Sequence, residues 1–449
     1  MNWSGIILLL FFLFSGCREI LVAQNVWTLD QCINYAWENN FSVYNQELGV
    51  EIRKTDFRQA KNDLLPTISA KSYFDQYFGR SIDPVTNAYV DVQFFTNSYD
   101  VTSTVDIFNG FMKLNTIDMQ KHNVIAETNK LQQLKNQVAF TVINGYYDVL
   151  LKQGLVSIAN ENYELSVNQM NYTMKLVEVG RKAGTDLLET DANMATDSFL
   201  MVKSHHLLEQ ASLDLKYLMN FPLVDSLVID TIVYSLFSGT MDTLTMERLF
   251  QLASESLPDL NIARNQLLAA KQAVRVSKGA FSPYIGLYGG WNSQYSETNL
   301  DDNDKIIPFS NQISNNSSEY LGLGINIPIF SKFSKITTLS KSKLQYQQAK
   351  IQYNDVSYKL MMGVQKSLTD WRSARAEYES SLSQLAKTQK AYEAAEKKLD
   401  KGLINIIEFY IQKNNWFKSK TEVLRTGLQV LLKERYIRFL MTGSLLSGT

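Results

Sequence analysis

The sequence predicts a mainly α-helical fold with long antiparallel coiled-coil helices, four short β-strands of membrane-spanning character, and an internal duplication. Three observations carry that expectation. Four stretches of roughly ten residues alternate apolar and polar side chains, the period of a half-buried strand. A far longer stretch past Gly110 places apolar residues seven apart, which is coiled-coil spacing. The same motifs then recur in the same order at offsets between 217 and 222 across half the chain.

Composition sets the outer bounds. Apolar residues make up 45% of the 449 and aromatics 12%, too many for a disordered chain. Lys and Arg number 44 against 45 Asp and Glu, a balance that gives no footprint for nucleic acid. The two cysteines, Cys17 and Cys32, build neither a disulfide framework nor a metal site. Met1 to Gln24 reads as an export leader whose apolar run, Ile6 to Phe14, is too short to span a bilayer. Two cleavage readings stand: a signal of residues 1–23, or a lipoprotein signal of residues 1–16 with Cys17 as the lipidated first residue. No later stretch has the continuous apolar length of a membrane helix.

The first repeat covers residues 24–244. Thr28 is a good N-cap, and Leu29, Cys32, Ile33, Ala36 and Trp37 share one face of a helix expected to run to Asp63, before Pro66. The period then drops to two. Ile68, Ala70, Ser72 and Phe74 oppose Lys71, Tyr73, Asp75 and Tyr77; after a loop from Gly79 to Asp91, Tyr99, Val101, Val105 and Ile107 oppose Asp100, Thr102, Thr104 and Asp106. This places a strand pair at about 67–108. Past Asn109-Gly110 the helical period returns, with Ile117, Val124, Leu131 and Val138 on one seven-residue ridge. A hairpin of two long helices is expected over 110–219, turning at Gly180 to Gly184, with Thr185 or Asp186 as N-cap of the returning arm. Residues 220–244 form a connecting segment.

The second repeat, 245–449, restates this order. Ala253 answers Ala36, Pro283 answers Pro66, Phe330 answers Phe108, and Gly402 is paired with Gly184. A strand pair is expected at about 283–330. On it Ile285, Leu287 and Trp291, and then Leu321, Leu323 and Ile325, alternate with Tyr288, Gly322 and Asn326. A second helical hairpin follows over 332–441.

Strands with one apolar face suit a bilayer only in a closed sheet, because edge N–H and C=O groups cannot be left in lipid. Four strands are too few to close, since about eight is the practical minimum. The sheet must be completed by other copies of the chain.

The motifs Leu65-Pro66-Thr67, Val105 to Gly110, Ile327-Pro328-Ile329-Phe330, Gly184 to Glu189 and Gly402 to Glu408 resemble those of the TolC family of outer-membrane efflux proteins. The segment GRSIDPVTNAY is similar to the Bacteroidetes type. The resemblance spans the mature chain. It implies a homotrimer with a twelve-stranded β-barrel in the outer membrane, four strands from each chain, and an α-helical barrel closing at a periplasmic tip. It also implies an exit duct for a tripartite efflux or type I secretion system, passive and gated at that tip. The partners implied are a periplasmic adaptor (membrane fusion) protein, an inner-membrane RND or ABC transporter, and outer-membrane lipid. Family members ring the closed aperture with acids, which places Asp186, Glu408 and the neighbouring Glu189 as aperture candidates. Where some members carry a further aspartate, this chain has Ile411. Arg181, Lys182 and Lys401 lie beside the same turns, within reach of those acids.

No residue constellation suggests an enzyme or a cofactor. Adjacent helix positions such as His205-His206 diverge by about 100°, so they do not converge on one metal. The competing reading is a structural coiled-coil envelope protein with no conducted substrate.

Overall fold

A computed structural model describes residues 26–83, 85–230 and 244–446. The leader and Cys17 lie outside the described residues, as do 231–243 of the connecting segment. After a short strand β1 (Val26–Trp27), Thr28 caps helix α1 (Leu29–Asn39) through a capping box with Gln31. Leu29, Cys32, Ile33 and Ala36 are buried, and the Trp37 indole donates to the Lys135 carbonyl at 2.7 Å. Burial pushes the Cys32 thiol up to about 12, so it stays an inert, protonated core residue.

The single helix expected from Thr28 to Asp63 is two. Asn40 sits in extended backbone, and its side-chain oxygen accepts from the Ser42 and Val43 amides at 2.9 and 3.3 Å, restarting the chain as α2 (Phe41–Asn62). Periodicity alone runs across this break because Asn tolerates either conformation.

Strand β2 (Thr67–Tyr77) leads to a small hairpin, β3 (Arg80–Ile82) and β4 (Tyr89–Asp91), inside the segment expected to be a loop. Strand β5 (Phe94–Phe108) runs into α3 (Met112–Glu178), which returns through α4 (Gly184–Met219). Strand β6 (Val228–Ile229) pairs in parallel with β1. The second half repeats the order with α5 (Met246–Ser256), α6 (Pro258–Gly279) and β7 (Tyr284–Ser296). A seven-residue helix, α7 (Phe309–Asn315), interrupts the segment read as a polar loop. Strand β8 (Ser318–Asn326), α8 (Ser334–Asp400) and α9 (Ile406–Thr442) complete the chain.

The duplication is visible element by element. Helices α1 and α5 both have 11 residues, α2 and α6 both 22, and α3 and α8 both 67. The offset is 217 from Leu29/Met246 to Thr67/Tyr284 and becomes 222 from Met112/Ser334 onward. The longer β7–β8 connection makes the step. At the constant offset of 222 the counterpart of Gly402 is Gly180, and that of Gly184 is Ile406. Backbone agrees: Gly180 and Gly402 both have positive φ, 73° and 68°. The Gly184–Gly402 pairing expected from sequence is therefore four residues out of register.

Contacts divide the described chain into two compact units, each drawing on both halves of the sequence. One combines the described parts of Met1–Tyr44, Leu134–Ser256 and Met361–Thr449 and is helical apart from β1 and β6. The other, Asn45–Gln133 and Leu257–Leu360, holds an antiparallel sheet in the order β2-β5-β7-β8.

Register assigns the faces of that sheet. Ala70 pairs with Val101, Val101 with Trp291, and Leu287 with both Val105 and Leu323, so these apolar residues share one face. Toward one end of the same face Phe74, Phe95, Tyr99 and Tyr295 form a belt with ring centroids about 6 Å apart, which α7 extends through Phe309. The opposite face carries Thr67 hydrogen-bonded to Thr104 at 2.7 Å and Ser69 to Thr102 at 2.9 Å. Strands β2 and β8 are the sheet's two open edges. No described helix is long and apolar enough to cross a membrane.

Candidate functional site

The sequence places its candidate residues at the two helical turns, Gly180 and Gly402, and the structure builds those turns alike. At the first, the Gly180 amide donates to Val177 at 2.9 Å and Arg181 to Leu176 at 2.8 Å; at the second, Gly402 donates to Leu399 at 3.0 Å and Leu403 to Lys398 at 2.9 Å. Left-handed glycine lets the chain fold back and satisfy the last carbonyls of each helix. The returning helices start at Ala183 and Asn405, which are counterparts and both in extended backbone. Asp186 and Glu408 then occupy the same position, three residues past the cap, where the helix dipole favours an acid.

The caps themselves differ. The Asn405 side chain accepts from the Glu408 amide at 2.8 Å and donates to the Glu408 carboxylate at 3.2 Å. Ala183 offers no side-chain cap. The N-cap is thus Ala183, where the sequence suggested Thr185 or Asp186, both of which lie inside the helix. Glu408 and Glu189 are exposed and Asp186 is half-buried. Among the described residues, no ion pair joins Arg181, Lys182 or Lys401 to any of these acids. The structure therefore aligns the two main acidic candidates at equivalent positions, without an ion pair among the described residues.

Beneath the second turn lies a core of Tyr392, Ala395, Leu399, Ile406, Phe409 and Tyr410, with Trp416 stacked on Tyr392 at 4.6 Å. Burial, with Glu396 beside it, pushes the Tyr392 phenol up to about 12, so it acts as a neutral packing residue.

Sequence reasoning missed the group just above this core. Lys413 of α9 is 1% exposed, and its ammonium donates to Asp197 Oδ2 of α4 at 3.0 Å. It also donates to the Ser166 hydroxyl at 2.5 Å and the Asn162 carbonyl at 3.1 Å, both on α3. Asn162 and Ser166 in turn donate to the two oxygens of Asp197. Burial holds the Lys413 ammonium below the usual lysine range, and Asp197 opposes that effect. A charge this deep persists because all its partners converge on it. One signal was available in sequence. Ile406, Tyr410, Lys413 and Phe417 follow one apolar helix stripe, and a lysine on such a stripe needs a buried partner.

Elsewhere the chemistry is sparse. The sheet-bearing unit contains a cavity of about 450 Å³ beside the Asp106–Lys113 ion pair at 2.6 Å. His205 is exposed, 3.4 Å from Asn160. No cluster of His, Cys, Asp and Glu suited to a metal occurs among the described residues.

Residues 249–443 match the model of the outer membrane efflux protein family. The outer membrane efflux protein BepC of Brucella suis biovar 1 (strain 1330) is 22% identical over 404 residues, spanning 84% of this chain and 80% of that protein. The proteases secretion protein PrtF of Dickeya chrysanthemi is 18% identical over 296 residues, spanning 64% of this chain and 61% of that protein. Among solved structures, the CmeC outer membrane channel of Campylobacter jejuni superposes with a TM-score of 0.79 at 15% identity, over 94% of this chain and 87% of that one.

Proposed function

We propose, from the premise that this chain belongs to the outer membrane efflux protein family, that three copies assemble into the exit duct of a tripartite efflux or type I secretion system. The protein is an outer-membrane efflux channel. The observation that carries the assembly is the four-stranded sheet with one apolar face, one hydroxyl-rich face and two open edges. Such a sheet is stable in lipid only when its edges are paired. Pairing β8 of one copy with β2 of the next closes twelve strands, with Leu287, Leu323 and Ile325 toward lipid and Tyr288 and Asn326 toward the lumen.

The helical hairpins extend the duct into the periplasm. Asp186 and Glu408, on equivalent first turns, would then form the acidic rim of the aperture, with Glu189 close by. Arg181 and Lys401 are placed to pair with acids of neighbouring copies when the tip closes. A periplasmic adaptor docks there and couples the duct to an RND or ABC transporter in the inner membrane. The names of the relatives, an efflux protein and a protease secretion protein, support both kinds of system.

Single-channel recording in planar bilayers tests the reading. Ohmic openings from purified protein are expected, and the absence of any pore at any voltage would leave only the structural coiled-coil alternative. Asp186→Ala combined with Glu408→Ala should weaken block by divalent cations, and unchanged block removes both residues from the aperture.

A further inference from the structure

The hydroxyl-bearing face of the sheet is built differently in its two halves. In β2 and β5 it pairs Lys71 with Asp100 and Tyr73 with Ser98. The counterparts in β7 and β8 are Tyr288 paired with Gly322, and Gly290 paired with Tyr320. One step toward the helices, Ser69 and Thr102 give way to Gly286 and Gly324. The first half carries a side chain at every one of these positions, whereas the second carries two tyrosines among four glycines.

Each tyrosine lies across the sheet onto the glycine it pairs with. A Cβ on Gly322 would lie 2.5 Å from Tyr288 Cζ and 2.6 Å from its hydroxyl oxygen, and a Cβ on Gly290 would lie 2.7 Å from the Tyr320 hydroxyl oxygen. The two rings thus run in opposite directions, each over the other's strand, with centroids 6.3 Å apart. Tyr284 lies down in the same way along its own strand. A Cβ on Gly286 would be 3.1 Å from its ring, and its hydroxyl donates to Asp106. Rings laid over glycine shield the backbone and steady the strands. They also take their own bulk off the face: Tyr288 is 43% exposed and Tyr320 38%, one side of each ring against the wall and the other open.

In a barrel of intermediate size that bulk matters. About eight strands enclose an interior that side chains fill, and about sixteen leave an open channel. With twelve strands, the side chains standing on the inner wall decide how much bore remains. We infer, on the channel reading above, that Gly322 and Gly290 set the upper size of solute that the barrel passes, by letting Tyr288 and Tyr320 lie against the wall. Three copies give three such recessed sectors, alternating with three that bear Lys71, Tyr73 and Asp100. The solutes concerned are bulky ones that fill the bore, since small ions pass whether a ring lies or stands. A Cβ at position 322 leaves the Tyr288 ring only one way to move, off the wall and into the lumen.

Labelling of a reporter placed deeper in the barrel tests this on the full-length protein. Asn326 is exposed on the same face as Tyr288, nearer the helices. Asn326→Cys is treated, in cells carrying the protein in their outer membrane, with maleimide-tipped polyethylene glycols of graded size, and labelling is read as a mobility shift on denaturing gels. The parent chain without this substitution provides the blank, its Cys32 being buried. Adding Gly322→Ala should shift the largest polymer that labels to a smaller size. Adding Tyr288→Ala as well should return it, because no ring is left to lift. Gly324→Ala is the control: its Cβ would meet Tyr288 at 3.6 Å, an ordinary contact, so the limit should stay where it was. An unchanged limit with Gly322→Ala, or an equal shift with Gly324→Ala, overturns the inference. If Gly322→Ala does not fold, Tyr288→Ala with Tyr320→Ala decides. Rings that already lie flat leave the limit unmoved on removal, and a larger limit means that they stood in the bore. If even the smallest reagent leaves Asn326→Cys unlabelled, this face does not line a duct open to the outside, and the channel reading has failed rather than the inference alone.

Discussion

Ser166 and Asp197 in the first tip hairpin correspond to Thr388 and Ser419 in the second, and both pairs bridge the two arms of their hairpin by a hydrogen bond. The first pair adds a carboxylate in a site 6% exposed, and Lys413 is drawn from the other half of the chain to neutralise it. The second pair is neutral and calls in nothing. One backbone therefore carries a charged and an uncharged solution to the same packing site. The difference shows that the ion pair is not needed to close a hairpin, since the second closes without it. What it adds is a link between hairpins.

Removing one member of the charged pair should have the largest effect of any substitution in the tip. Lys413→Ala leaves Asp197 buried and uncompensated, which costs about 3–5 kcal/mol. Denaturant unfolding of the detergent-purified protein measures it. Installing the second half's chemistry in the first, Lys413→Met with Asp197→Ser, should recover most of that loss, because no charge is then stranded. Ser419→Ala removes only two neutral hydrogen bonds, to the Thr388 hydroxyl and the Trp416 carbonyl, and should cost about 1–2 kcal/mol. A double variant no better than Lys413→Ala would show that the loss comes from the missing hydrogen bonds of Lys413 to Asn162 and Ser166 and not from a stranded Asp197 charge.

The strand-to-helix turns offer the same contrast in backbone terms. Gly110 and Phe111 have φ of 64° and 62°, and their counterparts Lys332 and Phe333 have 51° and 60°. Both turns set two phenylalanines edge to face, Phe108 on Phe111 at 5.4 Å and Phe330 on Phe333 at 5.5 Å. Space separates them. A Cβ on Gly110 would lie 2.3 Å from the Gly279 carbonyl oxygen and 2.7 Å from Ser282 Cβ. Gly110→Ala therefore meets backbone that cannot yield, and should destabilise by about 2–3 kcal/mol in the same unfolding measurement. Gly110 is thus required by packing, since Lys332 shows that a left-handed φ alone does not demand glycine.

The caps give a smaller effect. Asn405→Ala removes the hydrogen bonds that start α9 and should cost about 1 kcal/mol. Ala183→Asn supplies the cap that α4 lacks and should gain a similar amount, because Ala183 already has the extended backbone of a capping residue. A null result at Ala183 with a loss at Asn405 would mean that Glu408, holding the Asn405 amide, is the essential half of that cap.

These contrasts also explain what was legible in the sequence. Period-two alternation revealed the four strands and both faces, because a sheet with one apolar face imposes that period on every residue. Seven-residue spacing revealed the first long hairpin for the same reason. Asn40 hid the break between α1 and α2, since its capping is a local hydrogen-bond choice that leaves the apolar stripe intact. The seven-residue α7 lies below the length at which periodicity can be counted. The tip glycines were visible, but matching Gly184 to Gly402 followed residue type, whereas the left-handed backbone belongs to Gly180. Asp186 and Glu408 are candidates that a motif suggests. Lys413 and Asp197 were not visible, because their partnership is a tertiary fact between residues 216 positions apart.

The smallest predicted effect concerns Lys332. A residue with a Cβ in the left-handed region is strained by about 1 kcal/mol relative to glycine. Lys332 makes no hydrogen bond or ion pair among the described residues that would offset this strain. Lys332→Gly should therefore stabilise the folded chain by about 0.5–1 kcal/mol, reduced by the extra freedom glycine gives the unfolded state. A loss of stability would mean instead that the lysine makes a contact only when copies assemble. Its position predicts where. Gly110 packs on Gly279 within the chain, and the counterpart of Gly279 is Asn62 at the end of α2, so Lys332 would face Asn62 of a neighbouring copy. Asn62→Ala should then reproduce that loss in assembled protein and leave the Lys332→Gly variant unaffected.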